Sequence, residues 1–196
     1  LSPKIHTAAV GACNLQGDYS LFPIHPDDKQ GLKDLLDRVR VGEILGLNVT
    51  IPYKQNVIAY LDELTPTAQA IGAVNTIYSR DGKLIGDNTD APGFLSDLDT
   101  FLGYRKSKIV NRKSAIVLGA GGSARAVVHA LLNDGWNVTL VARRIEQAQQ
   151  LAASFTNHQP ALSVVEVLPI TSLTNLPLST FHLLVNTTPL GMTPNT

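Results

Sequence analysis

The sequence is poor in the residues that would mark several classes of protein. It has one cysteine, Cys13, which excludes an internal disulfide framework and is typical of a reducing compartment. Its 16 basic and 16 acidic residues balance, so it lacks the positive excess of nucleic-acid-binding proteins. It has no run of about 18 apolar residues to span a membrane, and its five histidines lack the spacing of metal ligands. We therefore expect a cytoplasmic protein that binds neither nucleic acid nor membrane and holds no metal.

Alternating helical and strand patterns indicate an α/β protein. Periodicity predicts helices over residues 4–15, 26–39, 56–64 and 91–102, with another opening at Thr65-Pro66, and strands over residues 19–24, 47–51 and 72–78. Asp81-Gly82 predicts a hairpin turn that leads into residues 83–86. We expect a parallel sheet that this hairpin closes at one edge, within a sandwich of helices and strands.

Residues 47–54, LNVTIPYK, form the stretch around which the candidate site is built. Val49 and Ile51 are β-branched and apolar, which predicts a buried strand, whereas Thr50 alternates with them and faces the other side. The proline after Ile51 ends the strand because it has no N–H to donate. Lys54 is then expected just beyond the strand end, at the mouth of the sheet.

Two further polar residues lie near the ends of predicted strands. Asn75 lies within or near the end of strand 72–78, and Asp90 follows residues 83–86. Ligands in open α/β sheets bind outside the carboxyl ends of strands, so Lys54, Asn75 and Asp90 could face one crevice. Each also has an ordinary alternative, because Lys54 could be a solvated surface charge and the other two could be turn or helix-cap residues.

The second half carries a dinucleotide-binding pattern. A buried strand over residues 114–118 is followed by GAGGSA at 119–124 and by a helix that runs to Leu132. This is G-x-G-x-x-A between a strand and a helix, where glycines allow a tight turn and a close approach of backbone to phosphate. The helix N-terminus supplies free N–H groups and a positive dipole end. Arg125, in the same segment, either helps to hold the phosphates or is a surface residue.

The residues after the next strand, 137–142, indicate which dinucleotide is bound. An NAD-specific fold usually has Asp or Glu there, to hold the ribose 2′-hydroxyl. This chain has Arg143 and Arg144, whose planar guanidinium groups suit a 2′-phosphate. The pair therefore favours NADP, although two solvated arginines would give the same pattern. Further strands are predicted over residues 162–168 and 182–186.

Three motifs together resemble a known family. Residues 48–54 (NVTIPYK), 72–76 (GAVNT) and 86–90 (GDNTD) are similar, in the same order, to the substrate-site motifs of shikimate dehydrogenases. Residues 2–6, SPKIH, resemble the end of that family's opening serine motif. The resemblance covers essentially the whole chain. It implies an N-terminal α/β sandwich that binds substrate, over residues 1–88, and a Rossmann-type NADP-binding domain over residues 89–196.

The resemblance also implies a reaction and its residues. Lys54 and Asp90 would be the catalytic pair for the interconversion of shikimate and 3-dehydroshikimate with NADP(H), a step of aromatic amino acid biosynthesis. The hydroxyl and carboxylate groups of the substrate would be held by Ser2, Thr50, Lys54, Asn75 and Asp90. The cofactor would be held by Gly119, Ala120, Gly121, Gly122, Ser123, Ala142, Arg143, Arg144, Gln147, Asn186, Thr187 and Met192.

Two departures and three alternatives accompany this interpretation. The family has an Asn-Arg-Thr stretch where this chain has Ala142-Arg143-Arg144. Members of the family also extend beyond both Leu1 and Thr196, so we expect both ends of this chain to be cut and the NADP-binding domain to be incomplete. The alternatives are a quinate/shikimate dehydrogenase with relaxed substrate or NAD use, a non-catalytic NADP-binding regulatory module, and one module of a multi-enzyme chain. The expected partner is a small-molecule substrate, and the expected assembly is a monomer or homodimer.

Overall fold

The computed structural model describes residues 2–103, 113–155 and 165–191. The chain forms two compact units, Leu1–Asp37 and Arg38–Thr196. The first unit contains helix α1 (Ser2–Ala12) and most of helix α2 (Lys29–Arg40). Both helices were predicted, and Ser2 lies inside α1. No helix in the described ranges is long and apolar enough to cross a membrane.

The segment between α1 and α2 forms no strand, so the prediction of a strand over residues 19–24 is wrong. The side chains of Leu21 and Phe22 are 69% and 40% exposed, so this apolar run is not packed into a sheet. Pro23, in its middle, has no N–H for a ladder. The ring of His6 instead stacks on Tyr19, with centroids 4.4 Å apart, which ties the segment to α1.

Helix α2 begins at a carboxylate cap. The Asp28 side chain accepts the N–H of Gly31 at 2.8 Å, so the helix starts at Lys29, three residues after the predicted Pro26. The apolar stripe that predicted this helix is buried along its length, at Leu32, Leu35, Leu36 and Val39.

The second unit opens with a four-stranded sheet. Its elements are β1 (Gly46–Asn48), α3 (Tyr53–Asn56), a 3₁₀ turn (Val57–Tyr60), β2 (Glu63–Leu64), α4 (Pro66–Ile71), β3 (Thr76–Arg80), β4 (Lys83–Asp87) and α5 (Asp90–Gly103). The strand order is β1-β3-β4-β2. Helices α4 and α5 confirm the predicted ones, and the Thr65 hydroxyl caps α4 by accepting the N–H of Ala68 at 3.2 Å.

This sheet is mixed, and the prediction of a parallel sheet with a hairpin at its edge is wrong. The Asp81-Gly82 turn is present, with positive φ at both residues (53° and 74°). It joins β3 and β4, which are the two central strands and run antiparallel. Strand β1 adds antiparallel to β3, and only β2 runs parallel to its neighbour β4. The hairpin is therefore the centre of the sheet, because the outer strands pair on either side of it.

The structure differs from two predicted elements near Lys54. Strand β1 ends at Asn48, and Ile51 is 59% exposed, so residues 47–51 are not a continuous buried strand. The chain leaves the sheet there because the Tyr53 N–H bonds back to the Thr50 carbonyl at 2.9 Å and closes a turn. The predicted helix over residues 56–64 is also wrong, since the chain ends its 3₁₀ turn at Tyr60 and then pairs with β4.

The second sheet is fully parallel. Its elements are β5 (Ser114–Leu118), α6 (Gly122–Asn133), β6 (Asn137–Ala142), α7 (Ile145–Phe155), β7 (Val165–Pro169) and β8 (Leu183–Asn186). The strand order is β7-β6-β5-β8. The chain adds β6 and β7 on one side of β5 and then returns to add β8 on the other side, so the order of strands reverses between β5 and β8. This is the topological switch point where α/β sheets bind ligands. Strands β5 and β6 have the predicted bounds. The first residues of the predicted strand 162–168 lie outside the described ranges. Helix α7 was not predicted.

The core of this half lies around α6 and Trp136. Its largest fully buried side chain is Trp136, whose indole N–H donates to Asp134 at 2.9 Å. Lys113 donates to the same oxygen, also at 2.9 Å. Burial acts to raise the pKa of Asp134, but the hydrogen bonds from Lys113 and Trp136 outweigh it and lower that pKa. The three side chains thus fasten the turn after α6 to the start of β5.

Gly86, in β4, offers a test of packing in the first sheet. A Cβ there would lie 2.5 Å from Leu61 Cδ1, 2.8 Å from Val74 Cγ2 and 2.9 Å from Leu64 Cδ2. We expect Gly86→Ala to lower the free energy of unfolding by about 1–3 kcal/mol through overpacking, measured by urea denaturation.

Gly93, inside α5, provides the matched control, because a Cβ there meets nothing within 4 Å. We expect Gly93→Ala to raise the free energy of unfolding by about 0.5–1 kcal/mol, since alanine loses less backbone entropy in a helix. Equal stability of the two variants would contradict the packing described for Gly86.

Candidate active site

The residues predicted to share a crevice are in direct contact. The Lys54 ammonium donates to Asp90 Oδ2 at 2.6 Å, and the Asn75 amide donates to Asp90 Oδ1 at 2.8 Å. Each carboxylate oxygen is therefore held by a different donor. The side chains of Lys54 and Asp90 are 14% and 35% exposed, so the ion pair is shielded from water more than a surface pair.

Backbone hydrogen bonds bring these residues together. The Lys54 carbonyl accepts the N–H of Val74 at 2.7 Å, and the Asn75 carbonyl accepts the N–H of Val49 at 2.7 Å. The Asn75 N–H donates to the Asp87 carbonyl at 3.0 Å. The segments after β1, before β3 and after β4 are thus joined at one end of the sheet, which is where the three side chains meet.

The Asn75 side chain is fully hydrogen-bonded within the protein. Its nitrogen donates to Asp90 Oδ1 and, at 2.9 Å, to the Thr89 hydroxyl. Its oxygen accepts the Thr89 N–H at 2.9 Å and the Thr76 hydroxyl at 3.0 Å. An amide has two donor hydrogens and two acceptor lone pairs, so these four bonds use its whole capacity. In this arrangement Asn75 orients the Asp90 carboxylate.

Asn88 fixes the backbone of Asp90 from the other side. Its side chain is 1% exposed, and its nitrogen donates to the Ala73 carbonyl at 2.9 Å. Its oxygen accepts the N–H groups of Asp90 and Ala91, at 3.1 and 3.4 Å. Asn88 therefore caps α5 and ties that helix start to the segment before β3.

The two other predicted substrate residues are Thr50 and Ser2. Thr50 is an exposed residue of the turn after β1. Ser2 belongs to the first unit, where it is the first residue of α1. Of the five predicted substrate residues, the structure brings Lys54, Asn75 and Asp90 into mutual hydrogen bonding.

The predicted cofactor residues gather at the carboxyl ends of β5, β6 and β8. Gly119 directly follows β5 with a φ of +106°, and a Cβ there would lie 2.8 Å from the Thr187 hydroxyl. Thr187 itself donates from both its N–H and its hydroxyl to the Leu118 carbonyl. Gly121 precedes the first turn of α6, and a Cβ there would meet nothing within 4 Å. This combination gives a tight turn beside open space in front of a helix N-terminus, which suits a phosphate.

The loops around that space are held by side-chain hydrogen bonds. Gln147 donates to the Ala120 carbonyl at 2.9 Å, and Asn186 donates to the Leu190 carbonyl at 2.9 Å. Ala142 is the buried last residue of β6, and Arg143 and Arg144 follow it with exposed side chains. Met192 lies outside the described residues. The other predicted cofactor residues surround one end of the second sheet.

Arg125 has partners that the sequence did not indicate. Its Nε donates to the Ile71 carbonyl at 2.7 Å and its Nη2 to the Ser154 hydroxyl at 3.0 Å. Burial lowers the pKa of its guanidinium. Arg125 is thus not a solvated surface residue, because its side chain joins the end of α4 to α6 and α7.

Sequence reasoning also missed two contacts of Lys54. Its Nζ lies 3.3 Å from the Ser123 hydroxyl, and its stem packs against Gly122. Lys54 and Ser123 are separated by 69 positions, and no local pattern in the sequence signals such a contact.

Asn88 offers a test of how the site is held. We expect Asn88→Ala to lower the free energy of unfolding by about 1–3 kcal/mol, because it leaves buried main-chain groups without partners. Urea denaturation measures the change. Asn133→Ala is the matched control, since that side chain is exposed at the end of α6, and we expect it to change stability by less than about 0.5 kcal/mol. Equal losses in both variants would contradict the role described for Asn88.

Comparison with known proteins places the chain in a family. A family model described as the shikimate dehydrogenase substrate binding domain matches residues 1–77. A second, described as shikimate/quinate 5-dehydrogenase, matches residues 102–177. The NADP(+)-dependent shikimate dehydrogenase of Salinibacter ruber is 42% identical over 100% of this chain and 66% of its own length. The chain spans 64–66% of the length of the curated relatives it matches.

Solved structures show the same fold. The shikimate 5-dehydrogenase of Thermus thermophilus, crystallised with NADP(H) and shikimate, has a TM-score of 0.74 and 35% identity over 96% of this chain and 63% of that one. The quinate dehydrogenase of Corynebacterium glutamicum, crystallised with NAD, has a TM-score of 0.79 and 31% identity over 99% of this chain and 68% of that one. The two matched family models, together with these full-chain similarities and a Rossmann-type α/β fold, show that the chain belongs to the shikimate dehydrogenase family.

Proposed function

We propose that the protein is an NADP-dependent dehydrogenase that interconverts shikimate and 3-dehydroshikimate, a step of aromatic amino acid biosynthesis. The observation that carries this proposal is the shielded Lys54–Asp90 pair, 2.6 Å apart, beside the glycine-rich loop of the second sheet. An ion pair of this kind at the edge of a dinucleotide-binding loop suits proton transfer coupled to hydride transfer. The names of the relatives support the same substrate and cofactor.

Proton handling is the part of the reaction assigned to Lys54 and Asp90. Hydride leaves a carbinol carbon only as the hydroxyl on that carbon loses its proton, so a proton acceptor must lie beside that oxygen. NADP⁺, when bound, accepts the hydride. In the oxidising direction the neutral Lys54 amine would take the hydroxyl proton and become the ammonium that Asp90 Oδ2 holds, and in the reducing direction that ammonium would return the proton to the substrate oxygen. General acid–base help of this type contributes about 10²–10⁴-fold to the rate.

Binding is divided between two regions. We assign residues 1–88 to substrate and catalysis, and residues 89–196 to NADP. Ser2, Thr50 and Asn75 are the further substrate-binding residues of this proposal, and Asn75 also orients Asp90. The mixed first sheet ends at Asp87 and the parallel second sheet begins at Ser114, which supports a division between them.

The cofactor assignment is supported by the loop around β5. Open space in front of α6 and the positive φ of Gly119 fit a pyrophosphate at the helix N-terminus. The exposed Arg143 and Arg144 fit a 2′-phosphate. Asn186, Thr187 and Met192 are assigned to the nicotinamide end. A cytoplasmic location and a monomeric or homodimeric state complete the proposal, with the single cysteine as support for the location.

A quinate/shikimate dehydrogenase with NAD use is the second candidate. It is favoured by the likeness to a quinate dehydrogenase crystallised with NAD. The arginine pair after β6 argues against it, because an acid usually stands there in NAD-specific folds. A non-catalytic NADP-binding module would have no need of a shielded Lys–Asp pair.

Shikimate-dependent reduction of NADP⁺ tests the proposed reaction, with NAD⁺ and quinate as parallel alternatives. We expect Lys54→Ala to lower kcat by about 10²–10⁴-fold with a much smaller change in the KM for shikimate. Lys83→Ala is the control, because Lys83 lies at the exposed start of β4, where it pairs with Glu63, and we expect normal kinetics. An unchanged kcat with a raised KM in Lys54→Ala rejects the proton-transfer role, and activity with NAD⁺ and quinate favours the second candidate.

Cofactor selectivity tests the arginine pair. We expect the double variant Arg143→Ala/Arg144→Ala to raise the KM for NADP⁺ by about 10–100-fold, because charge-assisted bonds to the 2′-phosphate are lost. The KM for NAD⁺, which lacks that phosphate, changes little. Arg80→Ala, at the exposed end of β3, is the control. Equal changes in both KM values would contradict the assignment.

A further inference from the structure

We propose that Ser123 is a positioning residue for Lys54, which goes beyond the cofactor role that the glycine-rich motif gives it. This inference rests on the proposed function, because it concerns the lysine assigned to proton transfer. Ser123 lies in the first turn of α6, and its hydroxyl oxygen accepts a hydrogen bond from Lys54 Nζ at 3.3 Å. Ser123 and Asp90 hold the same ammonium group from the first turns of α6 and α5.

The backbone of α6 forms a wall for the stem of Lys54. A Cβ at Gly122 would lie 2.8 Å from Lys54 Cβ, 3.2 Å from its Cδ and 3.5 Å from its Cγ. No side chain fits there unless the lysine moves. The lysine is only 14% exposed, which agrees with a stem that is packed along much of its length. Gly122 and Ser123 therefore act together, one on the stem and the other on the ammonium.

The donors of Lys54 show what Ser123 contributes. An ammonium group has three N–H donors. Among the described residues, Asp90 and Ser123 accept two of them, at 2.6 and 3.3 Å, which leaves the third for a substrate oxygen. The ammonium turns about its Cε–Nζ bond, and a second acceptor at Ser123 resists that rotation together with Asp90, so the third donor keeps one direction. Ser123 therefore sets where Lys54 aims its proton.

The same first turn of α6 offers the main-chain N–H groups that suit a phosphate. The side chain of Ser123 contacts Lys54, so one residue connects the cofactor loop with the reacting lysine. Two roles of Ser123 thus make different predictions. A purely phosphate-binding serine affects the affinity for NADP⁺, whereas a positioning serine affects kcat.

Ser123→Ala in the active enzyme separates these roles. We expect kcat to fall about two- to tenfold, the usual effect of one lost hydrogen bond, while the KM for NADP⁺ changes less than about twofold. Ser123→Thr keeps a hydroxyl at the same position, and we expect it to recover most of the lost kcat. A raised KM for NADP⁺ with unchanged kcat in Ser123→Ala overturns the inference.

A second readout needs no turnover. Modification of Lys54 by trinitrobenzenesulfonate, followed by mass spectrometry of its peptide, is expected to be about two- to tenfold faster in Ser123→Ala than in the unsubstituted protein. Lys83 serves as the internal control, with the same rate in both proteins. Unchanged labelling of Lys54 overturns the positioning role even if the unsubstituted protein fails to reduce NADP⁺ with shikimate. That failure would by itself reject the proposed function and leave the labelling result to decide on Ser123.

Discussion

The carboxylate of Asp90 is the group on which the site depends. Lys54 holds one oxygen, Asn75 holds the other, and Asn88 accepts the main-chain N–H of the same residue. These three partners come from the segments after β1, before β3 and after β4. A carboxylate held at both oxygens and at its backbone keeps one orientation, so the lysine beside it also has a defined position.

A second constraint comes from the absence of side chains at two glycines. Gly122 leaves room for the stem of Lys54, and Gly72, with a φ of +67°, leaves room for the guanidinium of Arg125. Arg125 then reaches the Ile71 carbonyl at 2.7 Å. Helix α6 therefore touches the first sheet region at its N-terminal turn and through Arg125. The glycine motif that predicts a cofactor loop also serves the packing of that loop against the lysine.

Local signals predicted the elements that depend on neighbouring residues. The Asp81-Gly82 turn, the Thr65 cap of α4 and strand β5 needed no information from distant parts of the chain. Pairing between distant parts of the chain determined the structure of the segments that were predicted wrongly. The apolar run at 19–24 has strand composition but no sheet partner, and residues 62–64 left a helical pattern to pair with β4. The meeting of Lys54, Asn75 and Asp90 was expected, but Asn75 lies before β3 rather than at its carboxyl end, because β3 runs antiparallel to β1 and β4. The contact with Ser123 depends on how α6 packs.

The saturation of Asn75 bears on how a substrate would enter this site. Both of its amide hydrogens and both of its acceptor positions are used by Thr76, Thr89 and Asp90. A substrate hydroxyl that bonds to this amide must therefore replace one of those partners. Among the described residues, each oxygen of Asp90 accepts one hydrogen bond and has a lone pair left, and Lys54 has one N–H donor without an acceptor. A substrate hydroxyl would therefore reach Asp90 and Lys54 without breaking a hydrogen bond of the protein, whereas the proposed contact with Asn75 would displace one of that amide's present partners.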